Sequence, residues 1–186
     1  YHTNAAQILA NPKGHVVIDD GRRFLRRTRE KFDVIVIDPP PPVQAAGSSL
    51  LYSREFYALA REHLKPGGIL QMWFPVGENV TEQAIVRSIH ESFPYVRYFP
   101  SVEGWGLHML ASGEPIETLD ANQLAARMPE GAKTDMMEWT SARDVPYYIG
   151  LVISHEIPPQ KILNPDPAIH ITDDQPFNEY YLLREL

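Results

Sequence analysis

Short runs of branched apolar residues alternate along this chain with longer stretches whose apolar positions recur every three or four residues. The first pattern predicts strands and the second helices. His2 to Ala10 reads as a helix stopped by Asn11-Pro12. Val16-Val17-Ile18 predicts a strand running into Asp19-Asp20-Gly21, and the next helix turns Phe24 and Leu25 inward while Arg22, Arg23, Arg26, Arg27 and Arg29 face water. Phe32 to Asp38 is a near-continuous Val/Ile run, the pattern of a strand covered on both faces. Pro39 to Pro42 forbid helix and ladder alike, so that strand ends at Asp38 and a loop runs to about Ser53.

Ser53 is a helix cap for a stripe of Phe56, Leu59, Ala60 and Leu64, stopped by Pro66-Gly67-Gly68. Ile69 to Phe74 follows as a strand. Asn79 and Glu82 have capping-box spacing ahead of a helix burying Ile85, Ile89 and Phe93. Val96 to Phe99 and Leu107 to Ala111 predict two more strands about a Glu103-Gly104 turn. Such alternation predicts an α/β fold, a parallel sheet with helices on both faces and an antiparallel pair at one edge. After Gly113 the pattern changes to a short helix at Ala121 to Met128, an apolar stretch at Tyr147 to Ile153, and a turn-rich segment from Pro158 to Pro167. The expected organisation is a catalytic domain over 1–112 with an extension, 113–186, packed on it.

Composition narrows the function classes. With 17 basic and 24 acidic residues the net charge is 17 − 24 = −7, which argues against a nucleic-acid partner and makes the arginine cluster a solvated helix face. There is no cysteine, hence no disulfide or thiol nucleophile, and the seven histidines lack ligand spacing, so no metal is expected. No apolar run reaches the roughly 18 residues of a membrane helix, so no membrane contact by this chain is expected, and a cytoplasmic setting fits. Trp73, Trp105 and Trp139 read as core or interface residues.

Ligands of open α/β sheets bind beyond the carboxyl ends of the strands, and two such ends carry acids, Asp19-Asp20 and Asp38. Each can be a cap, or can accept hydrogen bonds from a nucleoside or take a proton from a nucleophile. Val17-Ile18-Asp19-Asp20-Gly21-Arg22-Arg23-Phe24-Leu25, Phe32-Asp33-Val34-Ile35-Val36-Ile37-Asp38-Pro39, Glu55-Phe56-Tyr57 and Leu64-Lys65-Pro66-Gly67-Gly68-Ile69-Leu70-Gln71, in that order, resemble the spermidine synthase (polyamine aminopropyltransferase) family over about residues 1–112. The closing Ile171-Thr172-Asp173-Asp174-Gln175-Pro176-Phe177-Asn178-Glu179-Tyr180 resembles bacterial spermidine-synthase-like proteins, some of them fused to membrane segments.

The resemblance implies a Rossmann-like class I S-adenosylmethionine-dependent transferase fold. It implies transfer of an aminopropyl group from decarboxylated S-adenosylmethionine to an amine such as putrescine. Asp38 then matches the catalytic acid, while Asp20, Gly21 and Ala46 fall at cofactor-binding positions. The family's second loop acid is Pro41 here, the tyrosine that the family places before the last strand pair has no counterpart near Val102-Glu103, and the family's substrate-contacting Gln falls at Met72 or Trp73, beside Gln71. Asp173, Asp174 and Glu179 either line the site mouth or anchor the C-terminal segment. The glycine-rich loop and the first two strands of the family sheet are expected upstream of Tyr1, which makes this chain a C-terminal piece, inactive alone, and a homodimer across Val16 to Ile18 is expected. Two alternatives stand beside this reading. Asp38-Pro39-Pro40-Pro41 resembles the Asp-Pro-Pro-aromatic motif of base amino-methyltransferases, and a degenerate site would suit a non-catalytic nucleoside-binding or assembly domain.

Overall fold

The computed structural model describes residues 5–39, 42–75, 77–102 and 104–179. Pro40, Pro41, Glu103 and Tyr180, on which parts of the sequence reading fall, lie outside them. Two short helices, α1 (Ala5–Leu9) and α2 (Gly21–Arg27), precede strand β1 (Phe32–Ile37). After a 3-10 turn at Ser48–Leu51 come α3 (Arg54–Glu62), β2 (Leu64–Pro75), α4 (Asn79–Ser92), β3 (Tyr95–Pro100) and β4 (Gly106–Ser112). The chain continues through α5 (Ala121–Arg127), α6 (Glu130–Glu138), α7 (Val145–Ser154) and α8 (Pro159–Ile162).

The four strands form one open sheet in the order β1-β2-β4-β3. β1 and β2 run parallel, while β4 is antiparallel to both β2 and β3, which gives the expected antiparallel pair at one edge. Strand alternation sorts the side chains onto two faces. Leu70, Met72 and Phe74 of β2, Leu107, Met109 and Ala111 of β4 and Tyr98 of β3 enter the main core with Phe56, Tyr57 and Ala60 of α3 and Ile85 and Ile89 of α4. The opposite face of β2, β4 and β3 carries Ile69, Gln71, Trp73, His108, Leu110, Arg97 and Phe99, covered in part by α5 and α7. A smaller cluster of Ala125, Val145 and Ile149 joins those two helices. Ile162 and Ile171, from the extension, belong to the main core instead.

Several expectations are corrected. Val16 to Ile18 form no strand and are exposed, because no neighbouring strand among the described residues offers them a ladder. β1 therefore lies at the sheet edge, and it is not covered on both faces: Val34 and Val36 are 55% and 63% exposed. Arg22 is buried rather than wet, three positions before buried Leu25 on the same helix face. Leu64 starts β2 instead of ending α3, and β2 begins five residues before the expected Ile69. Gly67 takes a left-handed φ of 70° in that early stretch, where a side chain would strain the backbone.

Asn79 makes no capping box. Glu78 is the N-cap of α4, and its carboxylate accepts from Thr81 Oγ1 at 2.7 Å. Ser53 does cap α3, accepting from Phe56 N at 3.2 Å. Helix α6 had no apolar stripe to announce it and buries no residue. Among the described residues no helix is long and apolar enough to cross a membrane.

Candidate functional site

Asp38 follows directly on β1 and is exposed at the carboxyl end of the strand. The parallel register pairs Ile37 with Met72, so Asp38 lies level with Trp73 on β2, which pairs with His108 on β4. By alternation Asp38 shares the face of Val34 and Val36, which is also the face of Trp73 and His108. An acid, an indole and an imidazole thus lie across three adjacent strands. The last two belong to a hydrogen-bonded chain: Trp73 Nε1 donates to Ser101 Oγ at 3.3 Å, Ser101 Oγ meets His108 Nε2 at 3.1 Å, and His108 Nδ1 meets Gln71 Nε2 at 3.2 Å. Burial lowers the pKa of His108, and the Asp38 charge works in the opposite direction. Behind Asp38, on the core side, Tyr52 is fully buried, and burial with the Asp38 charge pushes its phenol well above the ordinary value.

Asp20 and Gly21 sit at the start of α2. Asp20 Oδ1 accepts from Arg23 N at 2.8 Å, so the capping role is realised, while Oδ2 has no protein partner among the described residues. A Cβ at Gly21 would meet nothing within 4 Å, and the glycine borders an apolar cleft of about 250 Å³ together with Phe24, Ile37 and Leu51. Ala46 is exposed in the turn between Pro42 and the 3-10 segment, next to Gly47, whose φ of 80° requires glycine. Asp20, Gly21 and Ala46 are all exposed, and Gly21 shares its cleft with Ile37, the residue before Asp38, while the Trp73–His108 row lies on the second face. The cleft beside Gly21 fits the flat apolar ring of a nucleoside. Asp20 does not line that cleft; it borders a separate one with Arg22, Arg23, Arg26, Leu50 and Asp173.

The loop between Asp38 and α3 is held from the far end of the sequence. Asn178, fully buried, donates through Nδ2 to Val43 O at 2.5 Å and to Ser48 Oγ at 2.8 Å. Glu179 Oε1 accepts from Ser49 N at 3.0 Å and Ser49 Oγ at 2.5 Å. Burial alone would raise its pKa, and these bonds hold it below the ordinary value. Asp173 accepts from both terminal nitrogens of buried Arg22, at 2.8 and 2.5 Å, and from Ser53 Oγ at 2.7 Å. The Arg22 hydrogen bond, followed by that from Ser53, lowers the Asp173 pKa. Asp173 and Glu179 are thus anchors, and Asp174 is exposed.

The sequence reading missed Arg22, although its spacing to Leu25 carried the signal, and it missed the His108 row, whose signal was the alternation of Gln71 and Trp73 with Leu70, Met72 and Phe74. Trp105 and Trp139, read as core or interface, are 72% and 74% exposed.

A sequence model of the spermine/spermidine synthase domain matches residues 1–104. The chain belongs to that family. Its similarity to the polyamine aminopropyltransferase of Sulfurisphaera tokodaii is 37% identity over 101 residues, covering 52% of this chain and 34% of that protein. The polyamine aminopropyltransferase of Korarchaeum cryptofilum is 27% identical over 168 residues, 83% of this chain and 51% of that one. The chain thus spans about a third to a half of the length of these relatives. Among solved structures, the spermidine synthase of Thermotoga maritima aligns with 73% of the chain and 54% of its own at a TM-score of 0.50 and 19% identity. Human methyltransferase-like protein 13 in complex with SAH aligns with 70% of this chain and 71% of its own at 0.51 and 17%. Likeness at that identity shows the fold alone: the family member described here has the open Rossmann-like α/β sheet that these two structures share.

Proposed function

We propose that the protein transfers an aminopropyl group from decarboxylated S-adenosylmethionine to an amine such as putrescine, with Asp38 as the base. The observation that carries this is the placement of Asp38, within the matched family domain, exposed at a strand end and level with Trp73 and His108. When bound, the nucleoside supplies a sulfonium whose adjacent methylene is the electrophile. The amine nitrogen forms the new C–N bond with its lone pair as the C–S bond breaks, its electrons passing to sulfur and leaving a neutral thioether. An alkyl amine has a pKa near that of lysine, about 10, so its lone pair is free only after a proton has left. Asp38 accepts that proton and orients the nitrogen.

Asp20 Oδ2, Gly21 and the Ala46 turn hold the nucleoside by one edge. The chain's own share of the chemistry is therefore orientation and proton removal, and no described cluster of His, Asp or Glu could hold a metal. Replacing Asp38 with Asn keeps the shape and removes the acceptor, which lowers the rate of aminopropyl transfer by about 10²- to 10⁴-fold. Retention of full transfer by Asp38→Asn in the intact protein would overturn the assignment.

A further inference from the structure

Trp73, level with Asp38 in the register of β1 and β2, borders the nearer of two cavities on the second face of the sheet, which share His108, Tyr148 and Val152; Asp38 itself lines neither. The nearer one, about 400 Å³, is walled by Trp73, Trp105 and Tyr148 with Ser101 and His108. The deeper one, about 840 Å³, runs between the sheet and α5 and α7 over Ile69, Phe99, Leu110, Leu124 and Ile149. From these we infer that the acceptor amine of the proposed reaction is an amine with one ammonium group and an apolar body, its nitrogen beside Asp38 and its body in the groove. The inference rests on the aminopropyl-transfer reading and narrows its substrate class.

Three observations favour this occupant. Trp73, Trp105 and Tyr148 present aromatic surface to a cation at the Asp38 end, the kind of wall that attracts an ammonium without a second carboxylate. Beyond that end the charged groups are guanidinium groups already paired. Arg97 binds Glu156 through both carboxylate oxygens at 2.7 and 2.6 Å, and Arg127 binds Glu117 at 3.1 Å. No unpaired carboxylate lines the groove among the described residues. A diamine lying there would desolvate its distal ammonium with no unpaired carboxylate among the described lining residues to receive it, whereas an alkyl or aryl tail would exchange water for apolar wall. Finally, a Cβ at Gly106 would collide with the Trp73 ring, so the glycine leaves the indole its place in the wall.

Calorimetry on the intact protein with butylamine, hexylamine, octylamine, octanol and putrescine reads the proposal directly. Affinity should rise about three- to fourfold for each methylene added to the monoamine, and octylamine should bind at least tenfold tighter than both octanol and putrescine. In Val152→Glu a carboxylate stands at the junction of the two cavities, and the order should invert, with putrescine gaining and octylamine losing. Putrescine binding as tightly as octylamine in the unaltered protein, octanol matching octylamine, or no amine binding at all would each overturn the inference. Methylthioadenosine release from decarboxylated S-adenosylmethionine, measured with each amine, separates the two claims. Its absence with every amine defeats the transfer reading, whereas turnover that favours putrescine defeats the substrate class alone.

Discussion

Removing Asp173 should loosen the loop that carries the site more than any comparable surface change. Arg22 is almost fully buried, and its terminal nitrogens make two bonds to Asp173 and one to Leu50 O at 3.0 Å, while its Nε has no partner among the described residues. Asp173→Ala leaves that charge without its counter-ion and Ser53 Oγ without its acceptor. Breaking a buried pair from one side costs about 3–5 kcal/mol, and because the Asp173 side chain keeps 30% of its exposure, water recovers part of it, giving about 3 kcal/mol. For a chain of this size that is a fall of about 6–12 °C in Tm. Asp173→Asn, which retains an acceptor, should lose about half as much. Arg22→Met combined with Asp173→Ala should cost less than the two single changes added together, with a coupling of about 2 kcal/mol.

The pH dependence follows from the sign of the shift. The folded-state pKa of Asp173 is depressed below 3.8 by Arg22. Its contribution is therefore complete above that value and is lost as the pH falls through the folded pKa. The gap between the unaltered protein and Asp173→Ala should close in acid and stay constant from pH 5 to 8. Thermal and urea unfolding followed by circular dichroism measure all of these. A loss under about 1 kcal/mol, or strict additivity in the double variant, would refute the reasoning.

Two further changes probe the packing around the sheet. Gly106→Ala would bring a methyl group within 2.5 Å of Phe74 O, a backbone atom of the β2–β4 ladder, and onto the Trp73 indole, so unfolding should show a loss of about 2 kcal/mol, within the range for overpacked sites; an unchanged midpoint would contradict it. Tyr52→Phe removes a buried hydroxyl that has no partner among the described residues, so stability should hold or rise by about 1 kcal/mol; a loss larger than that would mean the phenol is bonded.

The elements legible in the sequence were those specified locally. Ser53 capping α3, the Ile85–Ile89 stripe of α4 and the β3–β4 pair all depend on residues within one turn or hairpin of each other. What failed was non-local. Val16 to Ile18 have strand composition, but a strand exists only where another offers hydrogen bonds, and composition does not record that. Arg22 looked solvated because its partner Asp173 lies 151 residues away. Asn79 has the spacing of a cap, yet Glu78 took the place because its carboxylate reaches Thr81. The place of Asp38 at a strand end was legible from the Val/Ile run that precedes it. The row from Asp38 to His108 was not, because it depends on the register of three strands.

The central claim is that the chemistry on this strand end is aminopropyl transfer. The direct measurement incubates the intact protein with an amine and two labelled donors in separate reactions, decarboxylated S-adenosylmethionine labelled in its aminopropyl chain and S-adenosylmethionine labelled in its methyl group. Label from the aminopropyl chain should appear on the amine with one methylthioadenosine released per transfer, and Asp38→Asn should reduce it at least a hundredfold. Label from the methyl group on the amine, with S-adenosylhomocysteine as the other product, would contradict the account.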